Sequence, residues 1–389
     1  MEYTRKLAEF CANVTLETLP AEVIHKAKLC ILDYVANIYG SLELETVRNI
    51  AAYIRSVGAP ENVTALGCGF KTDVHQAAFI NGTTAEAIEA QDGSRFGGNH
   101  PGVAVIPAAL AVTEAVGAGG PAVIAAVVAG YEAANRPAAA MHPWHTLGGF
   151  LPTGTCGTYG AAVAAARLRG LDTDQLLNAL GNAGYLLPLS MAEHLMGGYT
   201  IKVVQGGQAA STGIMAAGLA GAGVTGAPYV LEGSALNGGF AKIPTAADPT
   251  LSRITDGLGE SYSVMDVYFK PYTACRHTHG AAQAALEALI AKSTTISDQV
   301  KSAEKSAEEV GSEMRGVVER SEEMRKLTDL QAQRSKSLIE IATASAARAT
   351  QTVAGASEVV GITDELRQLS SSLSRQIALF RIEEEQKSN

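Results

Sequence analysis

Aromatic residues, charge and cysteine are all scarce in this 389-residue sequence. Charged residues make up 18%, below the ~25% of an average soluble domain, while apolar residues make up 47%. A solvated, disordered chain is therefore excluded. Acids outnumber bases, giving a formal net charge of −9, which argues against a nucleic-acid partner. The five cysteines (Cys11, Cys30, Cys68, Cys156 and Cys275) are odd in number and form no C-x-x-C pair. That excludes a disulfide scaffold and a thiolate zinc site, and it fits a reducing compartment. No secretory leader is visible, because Glu2 and Lys6 lead into an amphipathic helix, so a cytoplasmic location is expected. The most apolar run, 103–129, is interrupted by Pro107, Glu114, Pro121 and three glycines. Two buried helices fit it better than a membrane span.

What remains is a chain rich in Ala, Gly and Leu, long enough for two or three domains. Leu7, Phe10, Cys11 and Val14 recur at helical spacing, as do Val23, Ala27, Cys30, Ile31 and Val35 after Pro20. The same period predicts helices over 76–90, 103–116, 121–135, 157–168, 173–183 and 209–222. There is little β alternation. The predicted fold class is all-α, with buried Ala-rich helices and Gly-rich connections.

Composition changes near residue 292. All thirteen prolines, all five cysteines and the only tryptophan, Trp144, precede it, whereas 29 charged residues crowd the part that follows. From Ile296, alternating steps of four and three reach Val300, Ala303, Ala307, Val310 and Met314. They continue without a stutter to Ile377 and Phe380. This seven-residue repeat predicts a coiled-coil helix over 293–382, followed by a disordered end, 383–389. Many seam residues are Ala, Ser or Thr, which bury little area, so the helix calls for a partner helix. The plain alternative is an extended solvated helix.

Chemistry is expected where polar groups break the apolar helices. Glu89–Gly102 (EAQDGSRFGGNHPG) sets an acid, Asp92, a cation, Arg95, and a base-capable imidazole, His100, in one Gly-rich loop. Such a loop is either functional or a hydrogen-bonded helix connection. Gly197–Lys202 (GGYTIK) is followed by Gln205–Gln208 (QGGQ) and places Lys202, with Tyr199 nearby, before a small-residue helix. Lys202 either offers positive charge to a carboxylate or enolate oxygen, or carries its head to water. Lys270–Gly280 (KPYTACRHTHG) brings Lys270, Cys275, Arg276, His277 and His279 within eleven residues. An i, i+2 histidine pair without a nearby acid is a weak metal signature, so acid–base chemistry is preferred and no metal is predicted.

Residues 1 to about 290 resemble the MmgE/PrpD family. The resemblance rests on Pro20–Leu29 (PAEVIHKAKL), Ile31–Asp33 (ILD), Ala77–Thr83 (AAFINGT) and His100–Ala109 (HPGVAVIPAA). It continues in Pro152–Thr155 (PTGT), Lys270–Tyr272 (KPY) and Cys275–His279 (CRHTH). The family contains 2-methylcitrate dehydratases, cis-aconitate decarboxylases and iminodisuccinate epimerases. The resemblance implies a helical domain, a smaller α+β lid, a homodimer and chemistry on small polycarboxylates with no cofactor. Carried onto matching positions, it implies catalytic roles for Asp92, His100, Lys202 and His279. Arg95, Arg276, Lys270 and Tyr199 are expected to bind substrate. The shared task is removal of a proton from a carbon next to a carboxylate. His100 or His279 is the candidate base, cations stabilise the developing charge, and Asp92 orients a histidine.

The sequence also departs from that family. Leu151 stands where a histidine usually follows Gly-Phe, Glu86 replaces another histidine, and Gln91-Asp92 and Ser94 alter the acidic loop. The lid is expected to stop within its first helix, near 282–290. The expected division is a helical catalytic-type domain over 1–270, a truncated lid over 271–292, then the coil. The tail resembles the C-terminal helix of chemotaxis-receptor signalling domains of the methyl-accepting class. Glu340–Ser345 (EIATAS) and 366–382 (LRQLSSSLSRQIALFRI) carry that likeness, without a kinase-contact tip or sensor half. Two functions follow. One is a lyase or isomerase of small polycarboxylates. The other is a non-catalytic dimerisation or interaction protein, a fusion of a degenerate enzyme domain with a receptor-type helix.

Overall fold

The computed structural model describes residues 2–245, 247–313 and 327–339, and singly 342, 343, 345, 368, 371 and 372. It divides into two compact units, Met1–Arg276 and His277–Asn389. The first unit is built from α1 (Tyr3–Asn13), α2 (Ala21–Ser41), α3 (Glu45–Val57), α4 (Val74–Ala87), α5 (Gly102–Val116) and α6 (Gly120–Met141). It continues through α7 (Trp144–Leu147), α8 (Pro152–Leu168), α9 (Thr173–Leu186), α10 (Ala192–Met196) and α11 (Gln205–Gly221). Two small antiparallel pairs supplement the helices. β1 (Val63–Ala65) pairs with β2 (Phe70–Thr72), and β3 (Gly93–Ser94) pairs with β4 (Val267–Tyr268), Gly93 opposite Tyr268. The fold class is all-α, as the helical periodicity predicts.

Local chemistry sets the helix ends. Asp73 caps α4, its carboxylate accepting from the backbone N–H groups of His75 and Gln76. Asp172 and Gln175 form a reciprocal capping box on α9. Pro152 occupies the first turn of α8, where a missing N–H costs nothing. The apolar run at 103–129 falls in α5 and α6, which part at Gly117, a left-handed residue with φ 71°.

The core gathers around α8, which packs on α5, α6, α9 and α11. Its Ala161–Ala166 stretch is fully buried, so small side chains let whole helices approach. The tightest crossing that bears on the site joins α4 to α11. A methyl group on Gly82 would stand 2.7 Å from the Cα of Gly207, and one on Gly207 would strike the Phe79 carbonyl and the Thr83 hydroxyl. Both neighbours of that second methyl belong to α4, and the carbonyl cannot rotate away. Gly207→Ala is expected to destabilise the chain by about 1–3 kcal/mol through overpacking, read as a lowered urea midpoint.

The second unit contains α12 (His279–Glu313) and a helical stretch over 327–339. Ile296, Val300 and Leu338, three of the seam positions, are exposed. Seam positions 314–324 and 349–380, most of the receptor-like motif and the end 383–389 lie outside the described residues. Among the described residues no helix is long and apolar enough to cross a membrane.

Candidate active site

Four of the sequence-predicted residues, Asp92, His100, Lys202 and Lys270, belong to one interacting cluster in the first unit. Two glutamates at the end of α4 hold it together. Glu86, fully buried, accepts from the Gly206 N–H at 3.0 Å and from Gln205 Nε2 at 2.6 Å. Both donors lie in the first turn of α11, where the helix dipole favours a carboxylate. Lys202 reaches the cluster from the short turn Thr200–Val204 that feeds α11. Its Nζ lies 3.1 Å from Glu86 Oε1 and is hydrogen-bonded to Glu89 Oε1. Lys270, just past β4, donates to the Glu89 carbonyl at 2.9 Å and lies 3.5 Å from Glu89 Oε2. Glu89 sits in the left-handed region with φ 59°, uncommon for a residue with a Cβ.

The electrostatics sort these groups. For Glu86, burial wins and its carboxyl is pushed above the ordinary range, against the pull of Lys202. Glu89 is also raised by burial, but Lys202 and Lys270 outweigh that and hold it below the ordinary range. Burial works against the Lys202 charge, yet Glu86 and Glu89 overcome it and hold the ammonium up. Lys270 is pushed down, chiefly by burial.

His100 and Asp92 form the other half. The His100 backbone N–H donates to Thr153 Oγ1 at 2.9 Å, tying the loop to α8. The ring Nδ1–H donates to the Asp92 carbonyl, which fixes the tautomer and leaves Nε2 as the bare nitrogen. No group among the described residues is hydrogen-bonded to that Nε2. Burial first, then the charges of Lys270 and Lys202, push the imidazole down to about 3, so it is neutral. The expectation that Asp92 orients a histidine therefore takes a particular form. The backbone carbonyl does the orienting, while the carboxylate accepts from the Gly102 N–H at 3.0 Å and the Tyr131 hydroxyl at 2.7 Å. Asp92 thereby ties its loop to the start of α5 and to α6.

Asp92 is pushed up to about 6, chiefly by burial. Asp33 on α2, which accepts from Asn37 Nδ2 at 3.1 Å, is pushed up to about 7 by burial and then by the Asp92 charge. Both folded values exceed the unfolded value near 3.9. Each of these two carboxyls by itself makes stability fall as pH rises from about 4 through 7, while the depressed imidazole of His100 acts in the opposite direction over much of that range. The quantity with a definite sign is a difference: the urea midpoint of Asp33→Asn is expected to rise relative to that of the unaltered chain as pH goes from 4 to 8.

The side chains of Arg95, Arg276 and Tyr199 make none of the bonds described for this cluster. Arg95 is exposed. The Arg276 guanidinium lies over the Tyr268 ring, 5.1 Å from its centroid. Tyr199 is exposed and meets His194 edge-on at 6.2 Å. His279 opens α12 in the second unit. Sequence reading gave no role to Glu89, Gln205 or Thr153. Glu89 heads the polar segment and Gln205 heads QGGQ, which was the available signal. The partners that tie them into the cluster lie more than fifty residues away. His145 looks like a further base but is structural. Its Nδ1–H donates to the Pro244 carbonyl at 2.7 Å, its Nε2 lies 2.8 Å from Thr155 Oγ1, and burial pushes it down to about 4. Lys202 also lines a cleft of about 280 Å³, whose wall includes Leu151.

The first unit thus sets a neutral imidazole in one cluster with two lysines, an arrangement that can accept a proton and attract an anion. The chain belongs to the MmgE/PrpD family: the MmgE/PrpD N-terminal domain matches residues 5–251. Among curated relatives, it is similar to a cis-aconitate decarboxylase of Aspergillus terreus, 28% identical over 303 residues. That match covers 72% of this chain and 59% of the relative. A cis-aconitate decarboxylase-like protein of Aspergillus oryzae is 26% identical over 295 residues, covering 72% of this chain and 60% of the relative. The chain thus spans about three fifths of the length of the curated relatives it matches.

Proposed function

We propose that this chain is a cofactor-independent lyase or isomerase that removes a proton from a carbon next to a carboxylate of a small polycarboxylate. The observation that carries this reading is His100. Its tautomer is fixed by the Asp92 carbonyl, its Nε2 has no hydrogen-bond partner among the described residues, and the charges of two lysines depress its basicity. In the proposed step the C–H proton passes to Nε2, and Lys202 and Lys270 stabilise the charge that develops on the carboxylate oxygens. Substrate carboxylates cancel part of the lysine charge. Binding therefore relieves the main electrostatic penalty on an imidazolium and strengthens the base where it is needed. Glu89 is the resident counter-ion of both lysines and yields to the incoming carboxylate. Cis-aconitate, citrate, 2-methylcitrate and iminodisuccinate are the candidate substrates, and the relatives named above support the first of them.

The test is proton exchange followed by NMR in deuterated water, with the full chain and those four compounds. Exchange or conversion of at least one compound is expected. A folded protein, verified by circular dichroism, that exchanges none of them overturns the reading and favours the non-catalytic interaction protein. The homodimer and a coiled-coil partner for the tail are part of the same proposal. Sedimentation at several concentrations tests both.

A further inference from the structure

Lys202 lines a cleft whose wall is largely hydrocarbon. Leu151, Pro188, Leu189, Met191, Ile201 and Val204 line it, and its volume is about 280 Å³. The chain builds it deliberately. The Leu151 N–H donates to the Ser190 carbonyl at 2.7 Å, and Phe150 bridges to Met191, so the 188–191 segment is laced to the start of α8. Ser190 adopts φ 47°, a left-handed turn that brings its hydroxyl onto Gln205 Oε1 at 3.2 Å.

The polar groups on the wall are largely spoken for. Gln205 uses its amide nitrogen on Glu86 and its oxygen on Ser190. Gln208 Nε2 donates to Thr212 Oγ1 at 2.9 Å. Lys202 has three N–H donors, of which Glu86 and Glu89 engage two. The third has no partner among the described residues. An occupant of this cleft therefore meets one cationic donor and then hydrocarbon, with His194 the remaining polar side chain on the wall.

We propose that this cleft takes an alkyl chain, so that the substrate is a polycarboxylate bearing an alkyl substituent of several carbons rather than a wholly polar one. One carboxylate sits on Lys202 and the alkyl chain runs along Leu151, Leu189 and Met191. A histidine in place of Leu151 would put a polar ring into that wall, and the leucine removes it. The cleft exceeds what a methyl group fills and suits a chain of several methylenes. This inference rests on the reading of Lys202 as a carboxylate anchor.

The experiment is isothermal titration calorimetry on the full chain with succinate and its 2-methyl, 2-butyl and 2-hexyl derivatives. These probes are saturated dicarboxylates used for binding alone, so the result stands apart from the proton-exchange assay. Affinity is expected to rise roughly fourfold per added methylene, the fold-change equivalent of ~0.8 kcal/mol. Leu151→Asn is expected to flatten that gradient. Met191→Gln, at a wall position that is 44% exposed and so tolerant of a polar side chain, is expected to flatten it too. Equal binding of all four probes overturns the alkyl inference while leaving the carboxylate anchor standing. An unchanged gradient in both variants overturns it as well, by placing the chain elsewhere. Binding of none overturns both readings.

Discussion

His100→Gln is expected to cut α-proton exchange by about 10²- to 10⁴-fold, the usual contribution of a positioned general base. The variant should still fold. The ring makes one described bond, to the Asp92 carbonyl, and a glutamine amide can donate there; the backbone bond to Thr153 is untouched. The pH dependence sharpens the test. In the free protein His100 is held near 3 by burial and by Lys270 and Lys202, so kcat/KM should show no histidine limb near 6.5. Once substrate carboxylates offset the lysine charges, the imidazole becomes a stronger base. The acid limb of kcat should therefore lie at higher pH than that of kcat/KM. An acid limb at the same pH in both profiles would remove the lysine-coupled base from the mechanism.

Lys202→Met carries the largest expected loss of stability, about 3–5 kcal/mol, because it strands a buried carboxylate. Glu86 is fully buried and Lys202 is 8% exposed, so water screens the pair weakly. The loss should depend on pH in a definite direction. Without the ammonium, Glu86 is pushed still higher than burial already places it. A carboxyl with a raised folded pKa holds its proton in the native state and loses stability as pH rises above its unfolded value. The deficit is therefore greatest at pH 8 and shrinks toward pH 5. Lys202→Met with Glu86→Gln should recover a large part of it, since a neutral amide still bonds the Gly206 N–H. Urea unfolding of both variants at the two pH values measures this. A deficit independent of pH would mean the lysine stem, not its charge, is what the fold requires.

Much of the helical frame was legible because it depends on neighbours in sequence. Period, proline and glycine placement locate α5 and α9 within three residues at either end, whereas the end of α6 runs six residues past the expected 135 and the start of α8 comes five before the expected 157. The site was legible only in part. Asp92, His100 and Lys202 stand out because polar residues interrupt apolar helices, and Lys270 stands in a basic segment. The pairing of Lys202 with Glu89 spans 113 residues and that of Lys270 with Glu89 spans 181. No local pattern encodes such distances; they follow from the close crossing of α4 and α11 and from the β3–β4 pair. The split role of Asp92 was likewise invisible, because a sequence does not say whether a backbone carbonyl or a side chain makes a contact. The seven-residue seam of the tail lies mostly outside the described residues, and its members Ile296, Val300 and Leu338 are exposed.

The stretch between the family match and β4 has its own consequence. Glu132 and Arg136 form a buried ion pair one helical turn apart on α6. Arg136 donates to the carbonyls of Asp256 at 2.7 Å and Ser261 at 3.0 Å, and Glu132 accepts from the Ser263 N–H at 2.5 Å. The backbone groups this pair holds lie beyond residue 251, where the family match ends, in the segment that leads to Lys270. For anyone trimming the protein, the workable frame is set by those bonds and not by the homology boundary. A fragment stopped at 251 would forfeit one of its two lysines and leave a charged pair in the interior with nothing to hold.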